Sequence, residues 1–263
     1  MPSSPESRSL AVFCDFENVA LGVREAKYAQ FDMEKVLERL LLKGSIVVKK
    51  AYCDWERYKE FKATMHGASF ELIEIPHLRQ SGKNSADIRM VVDALDLCYT
   101  KAHVDTFVIV SGDSDFSPLV SKLRENAKTV IGVGVKNSSS DLLIANCDEF
   151  IYYDDLVRAD EQNRRAAKKR RESAPAGEDK DKKQEAFDLM LETLNALIAE
   201  RGEDERIWGS MIKQALKRRK PGFNESYYGF RAFSDLLEEA EKRALIKLEP
   251  DEKSGGYLIR PAA

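Results

Sequence analysis

The stretch IVSGDSDF, Ile109 to Phe116, passes from an apolar segment straight into two acids one residue apart, beside a glycine and two serines. Together with the residues before it, the segment TFVIVSGD predicts a buried strand that delivers Asp113 to its carboxyl end. FSPLVSKLRENA then has the spacing of a helix, and TVIGVGV predicts the next strand. Glycine at position 112 permits a tight exit and the close approach of a ligand.

The same alternation extends outward in both directions. Upstream, LAVFCDFEN reads as a buried strand leaving for a loop at Asp15. DMEKVLERLLLKG predicts a helix with Met33, Val36, Leu37, Leu40 and Leu41 on one face and Gly44 as its stop. SIVVKKAYCD is a strand, ERYKEFKATMHGA a helix, FELIEIP a strand ended by Pro76, HLRQSGKNS a loop and ADIRMVVDALDLCYTK a helix. Downstream, SSDLLIANCD reads as helix and EFIYYDD as the last strand. Short apolar strands joined by helical crossovers imply an α/β fold, a mainly parallel sheet sandwiched by helices. Ligands bind such sheets outside the carboxyl ends of the strands.

Beyond this point the composition changes. RADEQNRRAAKKRRESAPAGEDKDKKQ, residues 158–184, is almost devoid of apolar side chains and reads as a charged linker, flexible over SAPAGEDKDKK, with a helix extension as the alternative for its first half and a phosphate-holding basic arm as the alternative for RRAAKKRR. After it, AFDLMLETLNALIAERG, IWGSMIKQALKRRKPGF and GFRAFSDLLEEAEKRALI predict three helices, and IKLEPDEKSGGYLIRP a hairpin. That order outlines a small winged-helix-like domain over residues 185–261.

The totals set bounds on function. A chain of 263 residues accommodates one medium and one small domain. It is 33% charged, yet the net charge is only -3, so any nucleic-acid signal must be local. Cys14, Cys53, Cys98 and Cys147 are widely spaced in apolar surroundings, which predicts free thiols in a reducing, cytoplasmic setting and argues against zinc. His66, His77 and His103 follow no ligand spacing. The polar N-terminus lacks a signal-peptide core, and no apolar run is long enough to span a membrane.

Four acids stand out. Asp15 and Asp113 end two strands and so share one sheet edge. Asp87 lies on the helical stripe of Val91, Ala94 and Cys98, which points it toward that edge; an acid favoured by the helix dipole is the alternative. Asp115 is divided between supporting a metal and capping a helix, and capping is preferred for Asp141. Carboxylates gathered within ~4 Å repel by about 1 kcal/mol in water and about four times that near a protein surface, so a cluster of them calls for a cation. Oxygen ligands select Mg²⁺ or Mn²⁺, which suits phosphodiester hydrolysis.

Taken together, FCDFENV, GKNSADIRMVVDAL, VSGDSDFSPLV and CDEFIYYDDL resemble, in motif order, the NYN domain of the PIN-like nuclease superfamily over residues 8–157. The resemblance implies a metal-dependent RNA endonuclease with catalytic acids Asp15, Asp87 and Asp113, these three also holding Mg²⁺ or Mn²⁺, and Asp115 as a further contributor. It implies that Asn18 positions Asp15 or a substrate phosphate, that Ser111 and Ser114 line the same loop, and that Asp93 is a recurring acid. Lys83 contacts phosphate or is a plain exposed loop lysine. Residues 185–261 resemble the OST-HTH or LOTUS domain, which implies RNA or protein partners. Lys213, Lys217, Arg218, Arg219 and Lys220 would then meet phosphates, and Tyr227 or Tyr228 would pack on a base or in the core. Two classes of function follow: a ribonuclease, or a non-catalytic RNA-binding or regulatory adaptor. A phosphatase of the Asp-x-Asp kind lacks its other motifs.

Overall fold

A computed structural model describes residues 8–28, 30–75, 85–161, 178–202, 205–251 and 256–262. The chain divides into two units, Met1–Asp160 and Glu161–Ala263. Residues 77–84 of HLRQSGKNS, Lys83 among them, and RRAAKKRR lie outside the described residues, while Ser85, expected to end that loop, is the first residue of a helix.

The first unit is a six-stranded parallel sheet in the order β3-β2-β1-β4-β5-β6. Its strands are β1 (Arg8–Asp15), β2 (Gly44–Cys53), β3 (Glu71–Glu74), β4 (Thr106–Val110), β5 (Thr129–Gly134) and β6 (Glu149–Tyr152). Between them run α1 (Phe16–Glu25), α2 (Met33–Lys43), α3 (Lys59–Gly67), α4 (Ser85–Thr100), α5 (Ser117–Glu125) and α6 (Asp141–Asn146), with α7 over 153–161. The expected α/β sandwich is therefore observed.

Strand pleating divides the core into two layers. On β1, Leu10, Val12 and Cys14 pack with Val19 and Val23 of α1 and with Met33, Val36 and Leu40 of α2. Ala11 and Phe13 face the other way, onto Met90, Ala94 and Cys98 of α4 and Leu119 and Leu123 of α5. Because both faces are covered, the central strands read as continuous apolar runs. The first-half strands β1 to β3 build outward on one side of β1; β4 to β6 build on the other. The strand order reverses between β1 and β4, the point at whose carboxyl ends sheets of this kind form their ligand crevice.

Two sequence expectations need correction. No loop follows β1: α1 begins at Phe16, with Asp15 as its N-cap. The EFIYYDD segment is strand only to Tyr152, after which the chain is helical and Leu156 and Val157 pack on the core.

The second unit comprises α8 (Glu178–Arg201), β7 (Ile207–Trp208), α9 (Gly209–Arg219), α10 (Phe233–Lys242), β8 (Ile246–Asp251) and β9 (Gly256–Pro261). The strands form an antiparallel sheet in the order β7-β9-β8. This region is thus helical with a small sheet, one short strand richer than its sequence suggested. The helix α8 starts inside the segment expected as linker. Among the described residues no helix is long and apolar enough to cross a membrane, and all four cysteines are free thiols.

Phe13 is fully buried and stacks on Phe107 of the adjacent strand, with ring centroids 6.1 Å apart. Phe13→Ala should cost roughly 3–5 kcal/mol in urea unfolding followed by fluorescence of the buried Trp55; an unchanged midpoint would contradict the central role of β1.

Candidate functional site

Parallel pairing sets β1 and β4 side by side, with Cys14 opposite Val110 and Phe13 opposite Ile109. The next residues, Asp15 and Ser111, therefore leave the sheet together. The Ser111 hydroxyl donates to Asp15 Oδ2 at 3.0 Å, and Ser111 Oγ accepts from the Asp113 N–H at 3.2 Å. Asn18, one turn into α1, receives the Gly112 N–H on Oδ1 at 2.8 Å, while its own N–H donates to Asp15 Oδ1 at 3.4 Å. Five residues from two chain segments thus lock the strand ends together.

Asp15 is 8% exposed, an unusual position for a carboxylate. Burial, followed by the negative charge of Asp87, pushes its pKa up from 3.8 to about 7. The Ser111 and Asn18 hydrogen bonds oppose the rise, and Asp113 adds to it. Asp87, half-buried in the first turn of α4, and Asp113, half-buried after β4, therefore both act on Asp15. Met90, Ala94 and Cys98 form the buried stripe of α4, and this orientation turns Asp87 toward the crevice.

Asp113 is also the N-cap of the short 3₁₀ turn Ser114–Phe116, accepting from the Asp115 N–H at 3.0 Å. Capping therefore falls on Asp113, not on Asp115, for which the sequence left it open. Asp115 is exposed. At α6 the cap is Ser140, and Asp141 is a first-turn acid.

Several expected roles change. Ser111, expected to line the loop with Ser114, is fully buried with its hydroxyl donated to Asp15, so it braces that carboxylate. Asp93 is neutralised: Tyr52 donates to it at 2.8 Å, Lys50 lies at 3.3 Å and Arg89 at 3.1 Å. Burial works against its ionisation, but these partners outweigh burial and hold its pKa below the usual range. Gly112 permits close approach of the chain itself rather than of a ligand: a Cβ there would lie 2.5 Å from the Ser138 carbonyl oxygen.

The loop after β5 is the part the sequence did not announce. A Cβ at Gly22 would meet Ser138 Oγ at 2.3 Å, and the Ser140 N–H donates to the Gly112 carbonyl at 2.9 Å. This loop packs against the turn after β4 and against α1. Its trace in the sequence is Gly112, read there as a tight exit, and Gly22, which carried no reading.

In the second unit the expected basic cluster divides. Arg219 is turned inward, pairing with Glu192 at 2.6 Å with its side chain 7% exposed. Lys213 pairs with Glu225 at 3.0 Å. Burial and then the Arg201 charge lower the pKa of half-buried Arg218, while Lys217 and Lys220 are exposed. Tyr228 is buried and Tyr227 is 62% exposed.

The groups at the crevice offer oxygen donors and excess negative charge, which suits a hard cation. Among the described residues, however, no three histidine, cysteine, aspartate or glutamate side chains converge as a ligand group.

Residues 9–154 match the family model for the NYN domain, more than half of the chain, and the chain belongs to that family. An uncharacterized protein of Methanocaldococcus jannaschii is 26% identical over 158 residues, 60% of this chain; the match spans only about three fifths of that relative, 62% of its length. The crystal structure of a protein of unknown function from Vibrio parahaemolyticus superposes with a TM-score of 0.52 at 29% identity, covering 58% of this chain and 97% of that one.

Two outcomes are expected from this geometry. Since the Asp15 pKa rises from 3.8 to about 7 on folding, the cost of its charge is absent below pH 4, grows between pH 4 and 7, and is complete above. Without divalent metal, Asp15→Asn should stabilise the fold at pH 8 by on the order of 2–4 kcal/mol and by little at pH 4, read from thermal unfolding. A pH-independent difference would contradict the burial argument. Gly112→Ala should destabilise the first unit by roughly 1–3 kcal/mol, because backbone must move to admit the methyl group; wild-type stability would show that the Ser138 loop yields freely.

Proposed function

We propose that this member of the NYN domain family is a metal-dependent ribonuclease, with its site in the crevice between the ends of β1 and β4. The observation that carries the reading is the buried Asp15 carboxylate, whose strongest charged neighbours are Asp87 and Asp113. A structure retains such like-charge crowding at a cost, and a site that gathers positive charge in use accounts for it. Asp15, Asp87 and Asp113 would hold Mg²⁺ or Mn²⁺. When bound, such an ion supplies a more acidic water and charge stabilisation for phosphodiester hydrolysis.

The chain's own residues do the positioning. Ser111 and Asn18 fix both oxygens of Asp15 and leave it little rotational freedom. Capping by Asp113 fixes its side chain against the turn that follows. With a pKa of about 7 in the metal-free chain, Asp15 would give up its proton on holding the cation near neutrality. In the second unit, Lys217, Lys220 and Arg218 are the groups proposed to meet RNA phosphates, and the OST-HTH or LOTUS likeness of residues 185–261 extends that reading to a protein partner.

The second reading is a non-catalytic RNA-binding or regulatory adaptor, which would bind RNA at the same strand ends without cleaving it.

The purified chain, incubated with single-stranded RNA and Mn²⁺ or Mg²⁺, should cleave it, and chelation should abolish cleavage. Asp113→Asn keeps the cap, because asparagine caps as well as aspartate, yet should lower the rate by on the order of 100-fold or more. RNA binding without metal-dependent cleavage would select the adaptor, and equal rates for the two proteins would remove Asp113 from the site.

A further inference from the structure

On the α5 side of the acid-bearing turn lies an open pocket of about 460 Å³, lined by Ser114, Asp115, Ser117, Pro118, Ser121 and Leu142. It begins one residue from Asp113, so a polynucleotide whose phosphate sits at the acids would lay an adjoining nucleotide here. Its chemistry is mixed. Three serines and a carboxylate give it hydrogen-bonding groups, while Pro118 and Leu142, the latter 58% exposed, give it an apolar wall.

Ser117 is the informative residue. It is 6% exposed, and its Oγ has no hydrogen-bond partner. A buried hydroxyl left unpaired costs about 1–3 kcal/mol, and alanine at the same place, the first residue of α5, would remove that cost without disturbing the helix. A destabilising polar group at the floor of a surface pocket has a ready explanation in a ligand that completes it.

The charge of the pocket narrows the ligand. Asp115 disfavours a phosphate, whereas a carboxylate and hydroxyls together accept and donate to a neutral sugar hydroxyl. Exposed Leu142 suits the face of a base or the sugar edge. We propose that this pocket is a ribose subsite, in which Ser117, assisted by Asp115, hydrogen-bonds the 2′-hydroxyl of a nucleotide flanking the scissile phosphate. The pocket thereby makes the protein selective for RNA over DNA, since the 2′-hydroxyl is what distinguishes them. This deepens the ribonuclease reading and rests on it for the position of the phosphate.

Binding separates the two claims, because it needs no cleavage. Fluorescence anisotropy of the full chain in Ca²⁺ buffer would use labelled 12-mers of one sequence as RNA, DNA and 2′-O-methyl RNA. The wild type should bind RNA roughly three- to tenfold more tightly than the other two, the range of one net hydrogen bond. Ser117→Ala should abolish that preference, leave DNA affinity unchanged, and keep or raise the melting temperature. Ser121→Phe, which fills the pocket from an exposed position, should abolish it as well. Equal wild-type binding of RNA and DNA, no binding of either, or a preference that survives both substitutions would overturn the subsite. Metal-dependent cleavage with any of these results would leave the nuclease reading intact; selective binding without cleavage would remove only that reading.

Discussion

The hydrogen bond from Ser111 to Asp15 joins the two halves of the sheet at the point where its strand order reverses. Everything proposed for the site depends on that junction. β1 and β4 end in register, so the residues that follow them meet without a long loop. Asn18 repeats the tie from α1 to Gly112, and Ser138 seals the outside of the turn against Gly112 and Gly22. The result is a carboxylate held 8% exposed under the negative charge of two others. A core could not tolerate that arrangement through packing alone, since the desolvation of a charge outweighs the hydrophobic gain from a single side chain.

Alpha 4 contributes the third carboxylate, and it does so indirectly. Its apolar stripe fixes its rotation on the sheet, and Asp93 clamps its middle turns to Lys50 and Tyr52 on β2. Tyr52 is itself the register partner of Asp15. Thus one acid of α4 is neutralised to hold the helix, and another is left near Asp15. The two acids look alike in sequence, and only their surroundings separate their roles.

Much of the architecture was legible. Apolar runs of four to eight residues ending in acids can hardly be anything but buried strands, and their alternation with helical spacing requires parallel pairing. Asp15 and Asp113 could be placed on one edge from that pattern alone. What escaped was set by contacts distant in sequence. Ser111 looked like a loop residue because nothing local shows that its hydroxyl is used by Asp15, 96 residues away. Arg219 looked like a phosphate ligand because its pairing with Glu192 depends on how α8 and α9 pack. The start of α1 was missed because Asp15 serves as strand end and helix cap at once, and the boundary carries no glycine or proline.

The central claim is that the like-charged carboxylates at this junction are kept to gather a divalent cation. Calorimetric titration of Mn²⁺ into the full chain at pH 6.5, in two buffers of different ionisation enthalpy, tests it most directly. With Asp15 titrating at about 7, binding should occur with release of a fraction of a proton, and the release should vanish in Asp15→Asn. Absence of binding by the wild type, or binding with no proton release, would contradict the account.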